Sequence, residues 1–416
     1  MAAAKFNPWH NLSNLFPALR IRDYRIFWVG WLVSQLGSWM QNIAWGWLAY
    51  EITNSAWWLG VLGFCGSIPA LFLAPFSGAL ADRANKRRIL VATQSVYMVL
   101  AFVLAWLVYS DQIKLWHLVT IALLNGVTFG IDAPVRQSYA PTLAGKENLM
   151  NAIGLNSMAF NTARILGPAL AGMLLAKIGA GGCFLINGIS FLAVLIALLN
   201  IRADGRPLNA DLAHPLLGYL GEGFRYLSQQ KDMLLLLILA AIVTIFGGQY
   251  NTLLPVFARN VFHGGPEVLG LLSSSIGCGA LLGALGASQF HRLPQKGRII
   301  AISCLGFATA LIVFSQSSQL SLAYLALAFG GVSIVAYNTT NNMLVQTMSD
   351  ECLRGRMVGI YMLTAIGLGP FGALLGGALA ANYGARTAVT LGGAVCAGCM
   401  LLALLIRPSL LKIRAS

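Results

Sequence analysis

Gly78-Ala79-Leu80-Ala81-Asp82-Arg83-Ala84-Asn85-Lys86-Arg87-Arg88 is a short charged turn set between two long apolar runs. Asp82 lies directly beside a cluster of cations. A weak copy of the surrounding segment returns later in the chain: Leu59-Gly60 recurs as Leu269-Gly270, and Arg88-Ile89 as Arg298-Ile299. Charge folded into so tight a loop, twice, at matching places in two halves, points to a duplicated chain built to work within a membrane.

Composition carries the same message. The 416 residues are 57% hydrophobic and 10% charged, where a soluble domain carries about 25% charged residues. Apolar runs long enough to span a hydrocarbon core of about 30 Å recur along nearly the whole chain. Twelve are read, at 24–50, 56–81, 89–109, 116–137, 149–175, 183–200, 233–257, 267–290, 299–316, 320–346, 355–382 and 384–406. Each is expected to be helical, because lipid cannot satisfy open backbone groups. The fold class is therefore all-α and membrane-spanning. Residues 1–23 hold Pro8, Pro17, Asn7, Asn11 and Asn14 with no continuous apolar stretch, so the first helix is expected to be retained rather than cleaved.

A net charge of +14 invites a nucleic-acid reading, but its distribution argues otherwise. With twelve spans both termini share one side, and 22 Lys and Arg fall there. The opposite loops hold four, Lys114, Lys177, Arg259 and Arg386, and Arg164 lies inside a span. The positive-inside rule then puts both termini in the cytoplasm, and the excess charge becomes topology and lipid-headgroup contact. No nucleic-acid partner is expected.

The residues offer little to an enzyme. His10, His117, His214, His263 and His291 are scattered without metal-ligand spacing. Cys396-Ala-Gly-Cys399 has redox spacing but sits inside the last apolar run. Neither a metal nor a cofactor is expected, and the absence of a phosphate-cradling glycine loop argues against direct use of ATP.

The chain divides into 1–200, a polar linker 201–232, and 233–416. Within the linker Leu216, Leu217, Leu220, Phe224 and Leu227 recur at helical spacing, which predicts an amphipathic helix on the cytoplasmic face. Six spans precede it and six follow. Gly167-Pro168 in the fifth span is matched by Gly369-Pro370 in the eleventh. Parallel six-helix repeats place a substrate site between the halves near the midplane.

These residues resemble those of the major facilitator superfamily over essentially the full chain. Gly78, Leu80, Ala81, Asp82, Arg83 and Arg87 match that superfamily's loop signature G-x-L-A-D-R-x-G-R-R/K. Asn85 stands where glycine is usual, and Asn tolerates a left-handed backbone best after Gly. The second copy is degraded, with Ser288 for Gly78 and Arg292 for Asp82. Ala163-Arg164-Ile165-Leu166-Gly167-Pro168-Ala169-Leu170-Ala171-Gly172 partly matches the exporter signature G-x-x-x-G-P-x-x-G-G. Ser34-Gln35-Leu36-Gly37, Tyr50 to Ser55, Pro134-Val135-Arg136 and Asn151 through Ser157 are similar to the branch holding macrolide efflux pumps and enterobactin-type siderophore exporters. The resemblance implies a monomer of the bacterial inner membrane that exports a small amphipathic molecule, driven by a proton gradient. An importer or lysophospholipid flippase on the same fold, and a non-transporting sensor, are the rival readings.

The candidate residues fall into four groups. Gly78, Asp82, Arg83, Arg87 and Arg88 form a latch that would pair across the halves in one state. Asp132, Arg136 and Arg164 are substrate or coupling candidates. Arg164 lies far into its span, where an Arg costs at least about 2.5–3.5 kcal/mol unless it faces protein or water. Asp132 and Arg136 are four apart on one helical face and are expected to pair locally. Gly167, Pro168, Gly369 and Pro370 are hinge candidates, because a helical proline frees a carbonyl and kinks the axis. Gln35, Gln41, Asn42, Asn125, Gln249, Asn251, Tyr337, Asn338 and Asn341 are candidates to line the cavity. Trp39, Trp45 and Trp47 lie deep enough to stack on a substrate or to pack.

Overall fold

The computed structural model describes residues 16–203, 205, 225–290, 295–351 and 353–413, without the side chains of 74–75, 78–83, 287–290 and 412. The side chains of Asp82, Arg83 and Ser288 therefore lie outside the described residues, as do Arg292 and Leu216 through Phe224.

Among the described residues twelve long helices run in order. They are α1 Arg22–Thr53, α2 Ala56–Arg83, α3 Lys86–Tyr109, α4 Leu115–Ala144, α5 149–178 and α6 180–200 in the first half. The second half holds α7 Lys231–Val261, α8 Pro266–Phe290, α9 Lys296–Gln316, α10 Leu320–Thr347, α11 Arg354–Tyr383 and α12 Ala385–Ile406. Ten helical stretches are long and apolar enough to cross a bilayer. One of these, Lys146–Asn200, holds both α5 and α6. The remaining helix is α1, whose apolar character is diluted by Ser34, Gln35, Ser38, Gln41 and Asn42.

Two boundaries differ from the hydropathy reading for local reasons. The loop expected at 176–182 shrinks to one residue, because Gly179 takes φ 69° and turns α5 directly into α6. Gly384, at φ 84°, does the same between α11 and α12. Positive φ at no steric cost is what glycine supplies. Helix α4 runs past 137 to Ala144, with Pro134 and Pro141 inside it, and stops only at Gly145, φ 73°.

Within the first half α1 packs along α5 and α6, α2 on α4, and α3 on α4 and α6. The second half repeats this, with α8 on α10 and α9 on α10 and α12. The halves meet chiefly along α2 against α11 and α5 against α8. Helices α7 and α11 are interrupted by π turns at Val243–Gly247, Phe257–Val261 and Leu363–Gly367. Such turns leave backbone groups poorly paired and mark places where a helix can bend.

The described end of the linker, 225–229, is helical, and Leu227 is buried against Met233, Met357 and Tyr361. At the other end Asp23 accepts hydrogen bonds from the amides of Arg202 and Ala203 at 3.0 and 2.9 Å. The amide of Lys86 donates to Gly205 O at 2.9 Å. The chain leaving α6 is thus tied to the start of α1 and to the loop before α3.

Candidate functional site

The two inter-half seams share one construction. On α2 and α11, Gly60 faces Gly377: a Cβ on Gly60 would sit 2.7 Å from Ala373 O, and one on Gly377 2.8 Å from Ala56 O. On α5 and α8, Gly172 faces Gly270: a Cβ on Gly270 would sit 2.5 Å from Pro168 O, and one on Gly172 3.0 Å from Pro266 O. Only glycine permits backbones this close. All four lie at the end of the bundle away from the Ala84-Asn85 turn. Tyr50 and Asn260 join the halves at the same end, with Asn260 Nδ2 donating to the Tyr50 hydroxyl at 2.6 Å. Arg259 stands over the Tyr50 ring, 6.0 Å from its centroid. A cavity of about 450 Å³, lined by residues including Tyr50, Asn260, Tyr383 and Arg386, opens there.

Towards mid-depth Phe64 meets Phe371 edge-on at 5.8 Å, and Ser274 donates to Ile165 O at 2.9 Å. On α2 and α11 the contact continues to Leu71 and Gly367, where a Cβ on Gly367 would sit 2.6 Å from Leu71 Cδ1, and beyond that the seams part. Gly154 lies five turns before Gly172 at about 3.6 residues per turn, and so on the same face of α5, roughly 27 Å nearer the loop end. A Cβ on Gly154 would meet nothing within 4 Å. On α11 the π turn at Leu363–Gly367 rotates the helix face between Gly377 and Gly359, and Gly359, on the loop side of that turn, also has open space. One end of each seam is clasped and the other is clear. The halves form a wedge that opens towards the Ala84-Asn85 turn.

Arg164 points into that wedge. On α5, Gly167 faces α1, with Trp39 Cβ 2.5 Å from where its Cβ would be. Ile165 and Gly172 face α8. At 100° per residue Arg164 falls between these two directions, in the cleft. It is half-buried, and among the described residues its guanidinium makes no hydrogen bond or ion pair. Phe160, on the same face of α5, meets Trp39 edge-on at 5.7 Å and is exposed.

Asp132 is 2% exposed and sits inside the first half. It accepts from Thr93 Oγ1 at 2.8 Å, Gln94 Nε2 at 2.8 Å and Arg136 Nε at 3.0 Å. Pro134 does not prevent the local pair with Arg136. The Arg136 guanidinium also stands over Trp31, 5.2 Å from the ring centroid.

The loop departs from the expected latch in two respects. Arg87 donates from Nε to Leu198 O at 2.6 Å and from a terminal nitrogen to Leu199 O at 2.7 Å. It closes the last carbonyls of α6, a favourable place for a cation, and stays within its own half. Arg88 is exposed. Asn85 is not left-handed: at φ −68° it caps α3, its side chain accepting from the Arg88 amide at 3.2 Å.

The cavity candidates divide. Asn42 on α1, Asn251 on α7 and Asn338 on α10 are exposed, and Gln35 and Asn125 are half-buried. Four others serve packing within a half. Gln41 accepts from Asn187 Nδ2 on α6 at 2.6 Å, and Gln249 donates to Ala388 O on α12 at 2.8 Å. Asn341 donates to Leu236 O at 3.2 Å and to the Tyr337 hydroxyl at 3.3 Å, with Tyr337 and Asn341 both buried.

The packing counterpart of Gly167 in the second half is not Gly369. Gly167 faces α1 in the first half, and the residue facing α7 in the second is Gly372, crowded by Ile245 O at 2.6 Å. The spacing that relates Gly167 to Gly372 also relates Gly154 to Gly359, Gly172 to Gly377 and Gly179 to Gly384. Gly369-Pro370 instead restarts α11 after its π turn. That constant glycine spacing was the sequence signal for Gly154 and Gly359. Tyr50, Arg259 and Asn260 had no such signal.

Comparison with known proteins adds an independent line. A family model described as transmembrane secretion effector matches residues 13–415. The chain is 28% identical over 345 residues to a staphyloferrin A transporter of Staphylococcus aureus, covering 82% of this chain and 85% of that one. It is 25% identical over 362 residues to the multidrug efflux pump Tap of Mycolicibacterium fortuitum, covering 84% and 87%. In fold it is similar to a bacterial homologue of the human lysosomal transporter Spinster, solved inward-facing and unoccupied. The TM-score is 0.74 at 16% identity, over 95% of this chain and 99% of that one.

Proposed function

The chain belongs to the transmembrane secretion effector family of major facilitator transporters, and from that premise we propose that it exports a small amphipathic molecule by alternating access. The observation that carries the reading is the wedge: glycine seams closed at one end, parted at the other, with Arg164 and exposed polar and aromatic side chains between. The cation excess of the loops at the open end supports a cytoplasmic orientation for it, with both termini on that side of the inner membrane. Substrate then enters from the cytoplasm or inner leaflet. The siderophore and multidrug relatives support a drug-sized or siderophore-like cargo. A single chain holds both seams, which supports a monomer.

Proton coupling is assigned to Asp132. Its carboxylate is buried on Arg136, Thr93 and Gln94. Protonation would cancel the charge that holds Arg136, freeing its guanidinium, which already stands over Trp31, to move towards the cleft. The latch at Asp82 is retained only as a contact of that carboxylate, since Arg87 is engaged by α6.

The test uses inside-out vesicles holding the purified protein. An imposed gradient, acidic inside, should drive uptake of exported compounds without ATP, and collapsing it should stop uptake. Uptake indifferent to the gradient defeats the coupling; downhill movement lost as well defeats export.

A further inference from the structure

The charge inventory of the cleft points to the class of the cargo. Among the described residues Asp132 is the one carboxylate in the middle of a membrane helix, and it is spent on Arg136, Thr93 and Gln94. Asp23, Glu51, Asp111, Glu147, Asp232, Glu267, Asp350 and Glu351 all lie at helix ends or in turns. Arg164 stands half-way along α5 with no carboxylate beside it. An uncompensated guanidinium at bilayer depth is costly, and such groups mark substrate pathways. A guanidinium also suits the planar fork of a carboxylate or a pair of vicinal oxygens. Beside it the Trp39–Phe160 edge supplies an apolar wall, and Asn161, one turn back on α5, supplies an amide.

We propose that Arg164 is the counter-charge for an acidic group on the transported molecule, so that the cargo is an anionic amphiphile whose apolar part lies against Trp39 and Phe160. The proposal rests on the export reading above and narrows it: a neutral or cationic drug would leave Arg164 unpaired in the closed cleft. Loading the anion removes the barrier to burying that cation, which couples occupancy to closure of the open end.

Two measurements test it. Asn161→Cys is labelled with an anionic and a cationic methanethiosulfonate of similar size, and the peptide is followed by mass spectrometry. The anionic-to-cationic rate ratio should fall about tenfold when Arg164→Gln is added, the scale of one unit charge a few Å away in a partly hydrated cleft. It should be retained in Arg164→Lys. An unchanged ratio means the charge does not reach the cleft and overturns the proposal, whatever the protein transports. In vesicles, dansyl-aspartate is compared with its dimethyl ester. The native protein should favour the acid at least tenfold, and Arg164→Gln should erase the preference at normal abundance and thermal midpoint. Equal or better transport of the ester overturns the anionic cargo while leaving export intact. Gradient-driven uptake of neither probe, alongside uptake of cationic drugs, also overturns it.

Discussion

A carboxylate that is 2% exposed in a membrane helix persists only where donors satisfy it, and Asp132 has three, two from α3 on Oδ1 and Arg136 Nε from α4 on Oδ2. Removing one member of a buried pair costs about 3–5 kcal/mol, because the other charge is left behind. Asp132→Asn keeps the shape and loses the charge. We expect a lower thermal midpoint in detergent, a loss of about 3 kcal/mol, and export no longer responsive to the pH gradient, while substrate counterflow continues. Counterflow lost in a well-folded variant would make Asp132 a substrate contact instead. Arg87 makes a different prediction. Its two bonds close the end of α6, so Arg87→Gln should cost about 1–2 kcal/mol of stability. Its substrate profile should be unchanged, as measured by thermal melting and efflux side by side. The pairing of Asp132 with Arg136 was legible in sequence, since residues four apart share a helical face. Thr93 and Gln94 were not, because they arrive from another helix.

At the scale of the element, glycine stripes decide where helices can approach. Gly60 and Gly377 leave no room for a Cβ at the closed end, whereas Gly154 and Gly359 face open space. Overpacking a tight contact costs about 1–3 kcal/mol, which shifts a two-state equilibrium roughly 5- to 150-fold. Gly377→Leu should therefore hold the outer end open. A cysteine placed at Ala380, beside the 450 Å³ cavity, should label faster from outside, and export should fall. Gly154→Leu should leave that labelling in the present state unchanged and should instead hinder closure of the cytoplasmic end. Equal effects of the two substitutions would show that the stripes do not govern the seams. Twelve spans, two halves and the repeat were legible because lipid forces helices and duplication leaves copies at fixed spacing. Packing partners were less so: Gln41, Gln249, Tyr337 and Asn341 read as cavity residues, because a polar side chain inside a span looks alike whether it faces a cleft or bonds a neighbouring helix. The π turns of α7 and α11 left no mark in hydropathy, since one extra residue in a turn hardly alters the apolar average.

For the whole molecule, the constraint is that two seams of the same build hinge one wedge. Every described inter-half hydrogen bond, Tyr50 with Asn260 and Ile165 with Ser274, lies on the closed side of mid-depth. If the halves rock as bodies about a central site, opening that side requires these contacts to break while Gly154 and Gly359 acquire neighbours. Among the described residues the π turns lie in α7 and α11, so flexion at these turns would bend the second half. Spin labels distinguish rocking from bending. One pair is placed at the wide end, on exposed Lys146 and Arg298, and another at the closed end, on exposed Lys114 and His263. A third pair within the first half, Lys114 and Lys146, serves as reference. Double electron–electron resonance at neutral pH should give a long first distance and a short second one. Acidifying the outside, or adding a transported acid, should shorten the first and lengthen the second together, with the reference unchanged. Both inter-half distances moving in the same direction would refute rocking, and a shift in the reference pair would place the flexion in the first half, against the position of the π turns.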